Sequence, residues 1–337
     1  LLEAVKTWDY NIKGYAIYSV KVLKIGNLLE SFQPLLDSTQ TRPIAIEALA
    51  NSPTKEDVEY LKKLAIKQDT VSEDLLDGLY KSTNPENIKY WLEILRTKPV
   101  PPDYYFNNNK QPLLYSAEIL TDLQLTLVEC QNSEIIQNLV KGLKGRVDEK
   151  SITILLKLLS HSDSSVRYWT ASALKGNNSL LIVNEIIKLI KSPLYRTVAF
   201  TDILINNGID TLQPTFVSIY ANNPNRDWKR SSIEYLSTFP LDKHMDIFKA
   251  ILNDKEEDTF IKRNAALGLG RLKGASSVDL IISACKEESE ASDYNAQIFL
   301  RALEMIKGDK AKDYITSFKN SKEQNVRQLV NEILNNW

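Results

Sequence analysis

Cysteine is almost absent from this chain of 337 residues: Cys130 and Cys285 are the two that occur, far apart in sequence. Two distant thiols make no disulfide framework, and both are expected to sit in helices as small apolar groups. Histidine is as scarce, with His161 and His244 alone. No two histidines stand one helical turn apart, so the ligand spacing of a structural zinc site is missing. No glycine–serine nucleophile elbow accompanies either histidine, and a histidine-based triad is not indicated. An excess of one charge is lacking too: 42 Lys and Arg face 43 Asp and Glu, for a formal net charge of −1. Such a balance gives no general attraction to nucleic acid or to an anionic membrane. The chain has no run of eighteen apolar residues, as a spanning helix requires, and no strand-period alternation long enough to demand a sheet. These absences lead to the expectation of a soluble chain that is not an enzyme and holds no cofactor or metal.

What is present is one helix written many times. In Ile261 to Gly274 the apolar residues Ile261, Ala265, Leu269 and Leu272 follow the spacing of a single helical face. Ala266, Gly268 and Gly270 add almost no side chain, which lets a neighbouring helix approach closely. Gly274 stands where a left-handed residue ends the helix. Aligning segments on a basic residue followed seven positions later by an apolar anchor pairs Arg167 with Leu174, Lys229 with Leu236, Lys262 with Leu269 and Arg327 with Leu334. With Leu204 and Leu303 filling the gaps, successive anchors are 30, 32, 33, 34 and 31 residues apart. Upstream, Val20, Leu49 and Leu79 continue the series at 29 and 30. A fixed period in this range marks a helical solenoid, in which each repeat buries the apolar side of the next. The glycines of 268–274 have the wrong spacing and the wrong place, inside a helix, for a dinucleotide fingerprint.

Taken in order, helices are expected over 3–24, 42–50, 54–66, 72–80, 86–95, 114–130, 134–143, 151–159 and 166–174. They continue over 180–190, 212–220, 243–252, 278–285, 311–318 and 325–337, with the anchor helices between them. Ser192-Pro193 reads as a further helix start. The period breaks at 98–112, where Pro99, Pro101, Pro102 and Pro112 exclude a regular helix. The division that follows is 1–97 as N-terminal repeats, 98–113 as a proline and aromatic insertion, and 114–337 as C-terminal repeats of the same continuous array.

The runs Asp163-Ser164-Ser165-Val166-Arg167-Tyr168-Trp169 and Asp258-Thr259-Phe260-Ile261-Lys262-Arg263-Asn264 resemble the first helix of a HEAT repeat. That resemblance implies an all-α, right-handed α-solenoid of about nine to ten helix pairs. It also implies a structural ladder between stacked repeats, with Asp163 matched to Arg167 and Asp258 to Lys262. Val166 to Trp169 is similar to HEAT segments attached to secreted bacterial sulfatases, and Ile261 to Gly274 to repeats of the phycobilisome-lyase type. An exported bacterial location follows from the former resemblance alone.

The function expected is a non-catalytic scaffold that binds a protein partner, or another domain of its own polypeptide. Tyr104, Tyr105 and Phe106 on the insertion are the candidate partner-binding residues, with burial as a plug over the stack as the other outcome. An accessory domain of a larger exported hydrolase is one alternative, consistent with a chain that opens at Leu1. A nucleic-acid-binding or base-repair helical repeat is the other, disfavoured by the balanced charge.

Overall fold

The computed structural model describes residues 15, 18–19, 22–106, 112–144, 149–177, 179–290 and 292–337. The helix expected over 3–24 lies largely outside them. The chain divides into two compact units, Leu1–Asn177 and Asn178–Trp337.

The first unit includes, among the described residues, the helices α1 (Leu29–Phe32), α2 (Arg42–Ala50), α3 (Lys55–Ile66), α4 (Glu73–Tyr80), α5 (Pro85–Thr97), α6 (Leu120–Glu129), α7 (Ser133–Lys141), α8 (Glu149–Leu158) and α9 (Ser164–Leu174). The second contains α10 (Leu180–Leu189), α11 (Ala199–Asn206), α12 (Gln213–Asn222), α13 (Arg226–Thr238), α14 (Met245–Asn253), α15 (Thr259–Arg271), α16 (Val278–Ser289), α17 (Gln297–Ile306), α18 (Asp309–Ser317) and α19 (Gln324–Asn335). Among the described residues there is no strand. The protein is all-α, built as an α-solenoid of paired helices. First helices stack on first helices, α2 on α4, α7 on α9, α13 on α15 and α15 on α17, while α14, α16 and α18 form the second layer of their unit.

The period inferred from the anchors reappears as hydrogen bonds between equivalent positions. Thr83 donates its backbone N–H to Asn51 Oδ1 at 2.9 Å, 32 residues away, and Ser82 donates to the carbonyl of Ala50. Further on, Arg263 reaches Asn295 at 2.6 Å and Arg301 reaches Glu332 at 2.8 Å, 32 and 31 residues apart. The anchors Leu49, Leu79, Leu174, Leu204, Leu236, Leu269 and Leu303 are fully buried. The last one shifts by a residue: Ile333 is buried and Leu334 is half-buried.

Close approach of helices depends on the missing side chains. A Cβ on Gly270 would lie 2.8 Å from the carbonyl oxygen of Ala302 and 2.9 Å from its Cα, so α15 and α17 meet backbone to backbone. A Cβ on Gly268 would meet the ring of Phe248 in α14 at 2.6 Å. The stop of α15 differs from the sequence expectation. Lys273, with φ of 52°, is the left-handed residue, and Gly274 has a φ of −70°. Ser192-Pro193 also departs from it, since residues 191–198 form turns and α11 begins only at Ala199.

Candidate binding surface

The proline-rich stretch does not interrupt the stack. Leu79 in α4 and Leu139 in α7 are both fully buried and stand 60 residues apart, close to two periods, with no first helix between them. α6 packs on α5 and α8 as a second-layer helix, and Thr126 donates to the carbonyl of Leu92 across 34 residues. Residues 98–106 and 112–115 are tied to the helices on either side of that gap. At its start the backbone N–H of Val71 donates to the carbonyl of Pro99, and Lys98 caps the end of α3 by donating to the carbonyls of Ala65 and Ile66 at 2.9 and 3.3 Å. At its far end Tyr115 donates its hydroxyl to the carbonyl of Leu139 at 3.2 Å.

The three aromatics expected to meet a partner split two ways. Tyr104 and Phe106 are 3% and 2% exposed, and Tyr105 between them is 66% exposed. Phe106 packs edge-on against Trp91 at 4.8 Å and tilts over Tyr80 at 5.4 Å. Trp91 donates its indole N–H to the Tyr104 hydroxyl at 3.1 Å, which satisfies a buried donor. Burial pushes the Tyr104 and Tyr80 hydroxyls well above the ordinary phenol range. Tyr104 and Phe106 therefore plug the stack, and Tyr105 alone of the three faces solvent. Alternation along an extended segment accounts for the split, because successive side chains point to opposite sides.

The four residues matched to the ladder each make contacts of their own. Asp163 caps α9, accepting from Ser165 N at 2.7 Å and Val166 N at 3.2 Å. Arg167 is buried and donates to the carbonyls of His161 and Ser162, both at 2.7 Å. Asp258 caps α15 through Phe260 N and Ile261 N, and it is held by Arg230 and Arg226 of the preceding first helix. Lys262 is buried and pairs with Glu288 at 3.1 Å. In neither motif do the aspartate and the base four residues on pair with each other. The physical reason is geometric: the helix cap turns each carboxylate toward its own N–H groups, leaving the base to serve carbonyls or an acid on another element.

Two features went unseen in the sequence. A polar hollow of about 500 Å³ lies between Ser289, Glu290, Ser292 and Asp293 and the stretch 317–323. Across it Ser321 donates to Asp293 at 2.5 Å and Ser292 donates to Glu323 at 3.3 Å, a reciprocal tie between consecutive repeats. The other is a series of contacts from an arginine in one repeat to an aromatic or amide in the next: Arg196 over Trp228, Arg230 over Phe260, and Arg263 to Asn295. Their spacings of 32, 30 and 32 residues are legible only once the period is known. Among the described residues no cluster of metal-ligating side chains occurs, and no helix is long and apolar enough to cross a membrane.

These features define an all-helical repeat protein. No family model matches the chain, and no curated protein matches it. A solved structure that it resembles is the complex of CpcE and CpcF of phycocyanin lyase from Nostoc sp. PCC7120, at 14% identity and a TM-score of 0.36, covering 79% of this chain and 96% of that one. That complex bears the name of a lyase, and the expectation that the present chain is not an enzyme is withdrawn on this account.

Proposed function

We propose that the chain is a HEAT-like α-solenoid that binds another protein, or another domain of its own polypeptide, and that Tyr105 is a contact residue of that surface. The observation that carries the reading is the exposure of Tyr105 on a segment whose two flanking aromatics are locked in the core. An aromatic held on a rigid base loses little conformational entropy on binding, which suits an interface anchor. The same proposal takes residues 98–113 as the junction between two runs of repeats, 1–97 and 114–337.

The test is affinity purification of tagged wild type beside Tyr105→Ser and Tyr168→Ser, with recovered proteins quantified by mass spectrometry. A partner recovered by wild type and Tyr168→Ser, and lost with Tyr105→Ser, supports the reading. Equal recovery by all three removes Tyr105 from the interface.

A further inference from the structure

Each of the two histidines stands at a turn between helices and accepts a backbone N–H through Nδ1, His161 from Asp163 at 3.0 Å and His244 from Leu241 at 3.3 Å. An imidazole nitrogen accepts only while it carries no proton. The two differ in their access to water. His161 is half-buried, whereas His244 is 1% exposed and, among the described residues, its buried Nε2 has no hydrogen-bond partner. The backbone of His244 is tied to the same residue, its N–H donating to the carbonyl of Leu241 at 2.8 Å. This reciprocal pair closes residues 241–244, the joint at which α13 turns into α14. Phe248 of α14 meets the imidazole edge-on at 6.3 Å, and the same ring fills the space that Gly268 of α15 leaves open.

We infer that the joint between α13 and α14 is an acid-sensitive latch, closed while His244 is neutral and loosened when Nδ1 takes up a proton. A proton there sets two donors against each other, Leu241 N–H and Nδ1–H, and removes one of the two bonds that shut the turn. It also creates a buried charge with no group placed to receive it, which is costly. The charged residues around the joint are Asp242 and Lys243 on the turn itself, Glu234 on α13 and Asp246 on α14, with Arg271 and Lys273 at the end of α15 and Asp279 at the start of α16; α12 has none. Of these Lys243 acts on the ring, and its charge opposes protonation; no carboxylate favours it. Opening the turn brings water to both ring nitrogens, so acid favours the open form. Because Phe248 links the turn to Gly268, the loosening reaches the contact between α14 and α15. The inference concerns this joint alone and is independent of the partner reading.

The experiment is hydrogen–deuterium exchange of the full chain between pH 7 and pH 5, read by mass spectrometry and corrected for the intrinsic pH dependence with an unstructured peptide. A histidine in the open joint titrates at the ordinary 6.5. The opening constant of residues 239–248 should therefore rise about tenfold for each pH unit below that value, until the folded pKa is reached. Segments of α17 and α19 should show no such rise. His244→Gln cannot take up the proton and should abolish the increment. Proton NMR of the wild-type imidazoles, assigned through His161→Gln, needs no change at position 244 and should find His244 titrating below 6.5. An opening constant for 239–248 that does not vary with pH, an equal rise in every segment, the same rise in His244→Gln, or a His244 titration at or above 6.5 overturns the latch.

Discussion

The carboxylate of Asp258 receives Arg230 in two hydrogen bonds, 3.0 Å to Nε and 2.8 Å to Nη2, although 28 residues separate them. The same carboxylate accepts from the amides of Phe260 and Ile261, so one side chain starts its own helix and fastens the helix before it. Hydrogen bonds from Arg230 above all hold its carboxyl down to about 2, below the ordinary 3.8. A depressed pKa of this kind contributes stability that is complete above the unfolded value and lost as pH falls through the folded one. Asp258→Ala should lower stability by about 1–2 kcal/mol at neutral pH, chiefly through the lost cap. Asp258→Asn should flatten the loss of stability between about pH 4 and pH 2, measured by thermal melting across that window.

His244 predicts a change at milder acidity. It is 1% exposed, its Nδ1 accepts from Leu241 N at 3.3 Å, and its buried Nε2 has no partner. Desolvation first, and Lys243 second, lower its pKa below 6.5. The neutral ring is the folded form, so its contribution is fully present above pH 6.5 and is lost as pH falls through the lower folded value. His244→Gln should show a smaller fall in thermal midpoint between pH 7 and pH 5 than wild type. An identical fall would remove His244 as the cause.

Gly270→Ala is expected to destabilise, against its helix propensity. Alanine gains about 1 kcal/mol over glycine in an open helix, but here the new methyl meets the backbone of Ala302 at 2.8–2.9 Å. Overpacking of this sort costs about 1–3 kcal/mol. Because the obstacle is backbone, adding Ala302→Gly should not restore the loss; urea titration of the single and double variants reads the difference.

Phe106→Ala and Tyr105→Ala should separate the two roles of the proline-rich segment. The first empties a buried aromatic cluster and is expected to cost about 3–5 kcal/mol. The second changes a residue 66% exposed and should stay within about 0.5 kcal/mol of wild type. Similar losses for both would place Tyr105 in the core.

Much of this architecture was legible because a repeat states its rule many times. The helix over 42–50 is bounded as read, and three of the basic residues seven places before an anchor share a structural task. Arg42, Arg167 and Arg327 each reach back to carbonyls that close the preceding turn, at Leu36, at His161 and Ser162, and at Ser321 and Lys322. What could not be read depends on a partner elsewhere in the chain. The prolines at 99–112 announce the loss of a helix, but only the burial of Leu139 shows that the stack continues at its next place. The sidedness of Tyr104, Tyr105 and Phe106 is set by Trp91 and Tyr80, which no local pattern names. Asn225 and Asp258 are equally good caps in sequence. That Asp258 also receives Arg230 from the helix before it is a property of the pair, which no local pattern names.

The most direct test of a partner surface built on a braced aromatic is site-specific photo-crosslinking with benzoyl-phenylalanine at position 105, with position 66, equally exposed on α3, as the reference. The account predicts one defined protein adduct from position 105, suppressed by Phe106→Ala, which loosens the base, and absent from position 66. Adducts of the same identity and yield from both positions, or none from 105, would contradict it.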